Sequence, residues 1–130
     1  MLTLHKKDCL EMLRELPDGS IDCCATSPPY WGLRDYGIEG QLGLESTPDE
    51  YVAKMVEVFR EVRRVLRADG TLWLNIGDSY NAGRNGGHPG GKGGLSRTTI
   101  GPQRCGVNAP GLKPKDMVGI PWRVAFALQA

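Results

Sequence analysis

The sequence predicts an α/β protein built on a partial, Rossmann-like parallel sheet. Short apolar stretches of strand length alternate with stretches in which apolar residues recur every three or four positions. The resulting order, strand–helix–strand–helix–strand, is typical of parallel strands joined by crossover helices. The 130 residues are enough for a single domain, so residues 1–130 form one unit. Three strands make a small sheet for this fold, and we therefore expect the chain to be part of a larger domain.

Each element has a local signal in the sequence. "MLTLH" is the first predicted strand, "CLEMLREL" the first helix and "IDCCAT" the second strand. The second helix, "STPDEYVAKMVEVFREVRRVLRADG", has Thr47 as its expected N-cap, Glu50 to complete a capping box and Gly70 as its expected end. "TLWLNI" is the third predicted strand, and "GIPWRVAFALQA" is a last helix with Pro121 in its first turn.

Polar segments follow each predicted strand. They are "KKDC" after the first strand, "TSPPY" after the second and "GDSY" after the third. In open parallel sheets, ligands bind beyond the carboxyl ends of the strands. We therefore expect the three segments to converge on one cleft. The two prolines of "TSPPY" hold the chain rigid there, because proline fixes φ and lacks an N–H.

Composition excludes several classes of protein. No apolar run approaches the roughly 18 residues that a membrane span requires, and the N-terminus lacks a signal-peptide pattern. The four cysteines show no CxxC spacing, so we expect neither a metal site nor a redox pair. A reduced, cytoplasmic protein fits these features.

The charge is unevenly distributed although the net charge is only +1. Residues 79–115 contain no Asp or Glu, and we predict a flexible, glycine-rich basic loop over residues 82–115. Such a segment indicates contact with a polyanion, although a merely solvated loop would have the same composition. Its basic side chains are Arg84, Lys92, Arg97, Arg104, Lys113 and Lys115.

Several segments together resemble the DNA methyltransferases that modify exocyclic amines. They are "TSPPYWGLRDYG", "GQLGLESTPDEYV", "VRRVLRADGTLWLNIGDSY" and "GIPWRVAFALQ". The resemblance implies the fold of S-adenosylmethionine-dependent methyltransferases, with S-adenosyl-L-methionine as cofactor and double-stranded DNA as partner. The reaction it implies is methyl transfer to N4 of cytosine or N6 of adenine, in a base flipped out of the duplex.

The resemblance also implies roles for individual residues. The [S/D/N]PPY motif of the family corresponds to Ser27, Pro28, Pro29 and Tyr30, the expected catalytic residues. Two acceptors, the Ser27 hydroxyl and a carbonyl such as that of Pro28, would orient the amine, and Tyr30 would stack on the base. Residues implied to line the cofactor site are Asp8, Thr26, Ser27 and Asp78. It also implies DNA contacts for Trp31, Arg34 and Tyr36. The basic charge of the glycine-rich segment, rather than the resemblance, predicts DNA contacts for Arg84, Lys92, Arg97 and Arg104.

Simpler roles compete with several of these assignments. Asp8 is equally well placed to cap the first helix, Asp78 could form a turn, and Trp31 could simply cover the edge of the sheet. Arg34 and Asp35 could form a local ion pair.

The substrate base and the completeness of the enzyme stay open. Serine at the first motif position favours cytosine N4, with adenine N6 as the alternative. The family's FxGxG cofactor segment does not occur in the sequence, and in permuted members it lies C-terminal to the catalytic loop. We therefore expect the catalytic-loop half of a permuted enzyme, and an inactive DNA-binding fragment is a further alternative.

Overall fold

In a computed structural model, residues 2–81 and 109–130 are described. They form three helices and a two-stranded sheet, in the order α1, β1, α2, β2, α3. The bounds are α1 Cys9–Glu15, β1 Ile21–Thr26, α2 Pro48–Val65, β2 Leu66–Leu74 and α3 Ile120–Gln129. The predicted α/β class is confirmed.

The two strands are parallel and α2 connects them, as predicted. Cys24 lies opposite Leu72 and Thr26 opposite Leu74. Backbone hydrogen bonding continues at the strand ends, where the Asn75 N–H donates to the Thr26 carbonyl at 2.9 Å. The segments after the two strands therefore leave the sheet side by side.

The second helix begins as predicted but ends earlier. Thr47 caps it by accepting the N–H of Glu50, whose carboxylate in turn accepts the N–H of Ser46. The helix ends at Val65 rather than at Gly70, because Leu66 already has an extended backbone. Gly70 lies inside β2.

The first predicted strand is wrong. Residues 2–6 contain no strand, and Leu2 and Leu4 are almost fully exposed. A strand forms only when a neighbour satisfies its backbone groups. The described parts of the chain place no strand beside this segment, so its apolar pattern alone does not order it.

Most of the core lies along α2. Met55, Phe59 and Val62 of this helix are buried together with Ile120 and Val124 of α3. The inner residues of both strands, Cys24, Leu72 and Leu74, pack partly buried against this cluster. One face of the sheet is thereby covered.

Arg64 of α2 fixes the end of α1. Its guanidinium donates to the carbonyls of Leu13 and Leu16 at the C-terminal end of this helix, where backbone carbonyls run short of donors. The Leu13 carbonyl also accepts the N–H of Leu16. Arg64 also pairs with Asp18 and Glu61, and these hydrogen bonds raise the pKa of its guanidinium.

Candidate active site

The loop that follows β1 crosses the end of β2. The Tyr30 ring lies against Gly77, where a Cβ atom would be 2.7 Å from the ring carbon Cε2. The Tyr30 hydroxyl lies 3.5 Å from the Ser27 Oγ and 3.4 Å from the Asn75 Oδ1, both longer than a well-formed O–H···O bond. Glycine at position 77 allows the aromatic ring of the loop to sit directly on the neighbouring strand end.

The carbonyl of Pro29 is held by a buried tyrosine of α2. The Tyr51 hydroxyl donates to this carbonyl at 2.9 Å, and the Tyr51 side chain is fully buried. Burial raises the pKa of the Tyr51 phenol, so the hydroxyl keeps its proton and remains a donor. The loop is thereby tied to the longest helix. Sequence reasoning missed this role, although Tyr51 belongs to the periodic apolar face of α2.

Trp31 is also fixed, and it belongs to the core. Its indole N–H donates to the Glu45 carbonyl at 2.8 Å, and its own carbonyl accepts the Ser79 hydroxyl at 2.7 Å. Only 2% of Trp31 is exposed. The expected DNA contact of Trp31 is therefore replaced by packing, since the ring has no surface left for a partner.

A cavity of about 290 Å³ opens at this loop. It is lined by all four residues of the motif together with Leu33, Arg34 and Tyr36. Its size is near the lower end of small-molecule sites, about 300 Å³. Arg34 forms no ion pair in the described residues, and Asp35 instead accepts the N–H of Gly37. Arg34 and Tyr36 thus line the same cavity as the four motif residues.

A second cavity, of about 390 Å³ and mainly apolar, lies on the other side of the same loop. Thr26, Ser27, Pro28 and Pro29 line it, facing Cys9 and other residues of α1 and α2. The two cavities share Ser27 and both prolines. Two ligands, one in each cavity, would therefore contact each other at this loop.

The two candidate acidic residues are engaged with backbone amides. Asp8 caps α1 through one oxygen, which accepts the N–H groups of Leu10 and Glu11. Asp78 uses both oxygens, accepting from Gly119 and Ile120 at the start of α3. The second carboxylate oxygen of Asp8 accepts no hydrogen bond within residues 2–81 and 109–130, whereas Asp78 has the role of a helix cap.

A prediction follows for the Asp78 cap. We expect Asp78→Ala to lower the free energy of unfolding by about 1–2 kcal/mol, because the N-terminus of α3 loses its acceptor and a favourable negative charge. Urea denaturation would measure this change. The matched control is Asp69→Ala, which removes an exposed partner of Arg67 and should change stability by less than about 0.5 kcal/mol. Equal effects of the two variants would contradict the assigned cap.

Asn81 is buried and closes the segment after β2, a role that the sequence did not indicate. Its side-chain amide donates to the carbonyls of Leu112 and Lys113 and accepts the N–H of Ala109. Residues 109–115, predicted as part of the flexible loop, therefore have fixed contacts. The candidate DNA-binding residues Arg84, Lys92, Arg97 and Arg104 lie outside the described residues.

Two other kinds of feature are absent from the described residues. No helix in these two parts of the chain is long and apolar enough to cross a membrane. Nor do His, Cys, Asp and Glu side chains within them form a group that could hold a metal ion.

Comparison with known proteins shows the family that this chain resembles. A family model described as DNA methylase, of the N6/N4 methyltransferase type, matches residues 21–124. The type II methyltransferase M.XycI of Xanthomonas campestris pv. cyanopsidis is 54% identical over 98% of this chain, and M.Cfr9I of Citrobacter freundii is 52% identical over 98%. The chain covers 41% of each of these two relatives. No solved structure matches the chain.

Proposed function

This chain belongs to the N6/N4 DNA methylase family, and on that premise we propose that it supplies the catalytic loop of a DNA methyltransferase acting on the N4 amine of cytosine. The observation that carries the proposal is the cavity in which Ser27, Pro28, Pro29 and Tyr30 lie together with Arg34 and Tyr36. Serine at the first motif position is the reason for preferring cytosine. The type II relatives further suggest a place in a restriction–modification system, and we propose a cytoplasmic location as part of that role.

The chemistry requires two hydrogen-bond acceptors. An exocyclic amine is a poor nucleophile because its lone pair is delocalised into the base. The Ser27 Oγ and the Pro28 carbonyl would each accept one amine hydrogen, which turns the lone pair out of the plane of the ring. The Pro29 carbonyl already accepts the Tyr51 hydroxyl, which leaves it one lone pair and a fixed direction, and we therefore assign the neighbouring Pro28 carbonyl as the acceptor of the amine. Preset acceptors of this kind lower the barrier because they need no reorganisation.

The second cavity is the proposed place for S-adenosyl-L-methionine. Thr26 and Ser27 line this cavity and would hold polar groups of the cofactor, and the apolar lining suits its less polar parts. Asp8 does not line the cavity but directly precedes its lining residue Cys9, and we propose that its second carboxylate oxygen binds at the edge of the site. When bound, this molecule supplies a methyl group on a sulfonium sulfur. Asp78 does not fit a role in binding it, since both of its oxygens are taken by the start of α3.

Double-stranded DNA is the proposed substrate. Arg34 and Tyr36 are exposed at the first cavity, where Arg34 could neutralise a phosphate and Tyr36 could contact a base. The Tyr30 ring would stack on the flipped base and offset part of a cost of a few kcal/mol. Arg84, Lys92, Arg97 and Arg104 would add contacts with the phosphate backbone.

The test is a nucleoside mass analysis of DNA from cells that lack their own DNA methylation and express this chain. N4-methylcytosine is the expected product, whereas N6-methyladenine would correct the substrate base. If neither appears, the chain should be expressed together with the part of M.XycI that it does not match. Absence of both bases from that combination, with both polypeptides folded, would contradict the proposed function. DNA binding without transfer would then favour the DNA-binding fragment.

A prediction for Tyr51 follows from its hydrogen bond to the loop. We expect Tyr51→Phe to lower kcat about tenfold, equivalent to about 1.4 kcal/mol, with little change in the KM for DNA. The ring still fills the core, but the Pro29 carbonyl is no longer held and can compete for the amine. Tyr80→Phe, at an exposed tyrosine, is the control and should leave both constants unchanged. A rise in KM with an unchanged kcat would argue against positioning by Tyr51.

A further inference from the structure

Residues 41–45 pack against the loop that carries the catalytic motif. The Gly43 carbonyl accepts the Gly32 N–H at 2.7 Å. Position 43 needs glycine, because its φ is +96° and a Cβ atom there would lie 2.9 Å from the Tyr30 carbonyl oxygen. We call residues 41–45 the backing segment.

The first residue of the backing segment, Gln41, holds the next part of the loop through its side chain. Its Oε1 accepts the Tyr36 N–H at 2.7 Å, and its Nε2 donates to the Arg34 carbonyl at 2.9 Å. Arg34 and Tyr36 lie in no helix or strand. Within residues 2–81 and 109–130, no other hydrogen bond engages this carbonyl and this N–H. One amide group therefore fixes the backbone at both residues.

A tight turn brings Gln41 back to this stretch of the loop. Gly37 and Gly40 have φ angles of 70° and 75°, which glycine adopts without strain. Gln41 is half-buried and is not among the residues that line the cavity of the motif, whereas Arg34 and Tyr36 both line it. Gln41 thus supports two residues of the cavity from outside it.

We propose that Gln41 is a positioning residue for DNA binding. It holds the backbone from which the Arg34 and Tyr36 side chains reach DNA, and it makes no contact with DNA itself. Both side chains are exposed, so each loses conformational freedom when DNA binds, and a backbone fixed in advance reduces the total loss. The inference rests on the proposed DNA contacts of Arg34 and Tyr36 and adds the residue that sets their direction.

Gln41→Met tests this role, because methionine has a similar length but lacks the amide that holds the two backbone groups. We expect the substitution to raise the KM for duplex DNA about tenfold and to change kcat by less than about twofold, since it affects binding alone. The measurement is methyl transfer by the chain or complex that shows activity. Gln129→Met makes the same change at an exposed position near the end of α3 and should leave both constants unchanged.

A combined variant shows whether Gln41 acts through the two side chains. In a chain that carries Arg34→Ala and Tyr36→Ala, adding Gln41→Met should raise KM by less than about twofold more, because the side chains that it positions are gone. A further increase of about tenfold in that chain would overturn the proposal. An unchanged KM in Gln41→Met alone would overturn it as well.

Hydrogen exchange tests the Gln41 contact without methyl transfer. The Tyr36 amide should exchange at least about fivefold faster in Gln41→Met than in the unaltered chain, since it loses its acceptor. Gln129→Met should leave this rate unchanged. Equal exchange in Gln41→Met and the unaltered chain would overturn the proposal whether or not the chain is active.

Failure of the proposed function has a different signature. Absence of methyl transfer by the unaltered protein would contradict that function alone. The Kd for duplex DNA then takes the place of KM, and we expect the same increase of about tenfold in Gln41→Met. An unchanged Kd would overturn the positioning role of Gln41.

Discussion

Replacing Ser27 with alanine is expected to lower methyl transfer by about 100- to 1000-fold, the range found when one preset acceptor or donor is removed from an active site. The Ser27 hydroxyl lies at the loop shared by both cavities. Ser27 is exposed, so its replacement leaves the core unchanged. The variant should therefore fold normally and lose activity mainly in kcat.

The measurement is methyl incorporation into duplex DNA, made with the chain or complex that shows activity. Ser20→Ala is the matched control. The Ser20 hydroxyl donates to the Pro17 carbonyl in an exposed turn just before the N-terminal end of β1, the end opposite to Ser27. That variant should retain full activity. If Ser27→Ala keeps more than about a tenth of the activity, the proposed role of the hydroxyl in orienting the amine is wrong.

Replacing Asn81 with leucine is expected to destabilise the fold by about 3 kcal/mol, since each buried polar group left without a partner costs about 1–3 kcal/mol. The buried Asn81 amide satisfies the Ala109 N–H and the carbonyls of Leu112 and Lys113. Leucine has the same branched arrangement of side-chain heavy atoms but can neither donate nor accept a hydrogen bond. Three backbone groups would therefore lose their side-chain partner at once.

Urea denaturation followed by circular dichroism would measure this effect. Gln129→Leu is the control, because it makes a similar change from amide to apolar side chain at an exposed position near the end of α3. Its effect should lie within about 0.5 kcal/mol. A loss of less than about 1 kcal/mol in Asn81→Leu would mean that the Asn81 amide does not hold residues 109–113 in place.

Sequence and structure agree where the signal is local. Thr47, Glu50 and the three- and four-residue spacing in α2 depend on neighbours within one or two turns, so the start and the buried face of this helix were predictable. The SPPY motif was equally readable, since its prolines stiffen the loop wherever it lies. The family match over residues 21–124 supports the chemistry assigned to it.

Non-local contacts decided the remaining features. The apolar pattern of residues 2–5 predicts a strand, but a strand requires a neighbour that no local pattern supplies. Trp31 is an aromatic residue of the kind that contacts DNA bases. Only its burial in the folded structure assigns it to the core.

The partners of Tyr51, Asp78 and Asn81 lie 22 to 42 residues away in the chain. The sequence by itself predicted the three helices and the parallel pairing of the two strands joined by α2, because those depend on short-range pattern. Only the tertiary structure showed that the Pro29 carbonyl accepts the Tyr51 hydroxyl and that Asp78 accepts the N–H groups at the start of α3. Each of these depends on groups that the fold, and not the sequence order, brings within hydrogen-bond distance.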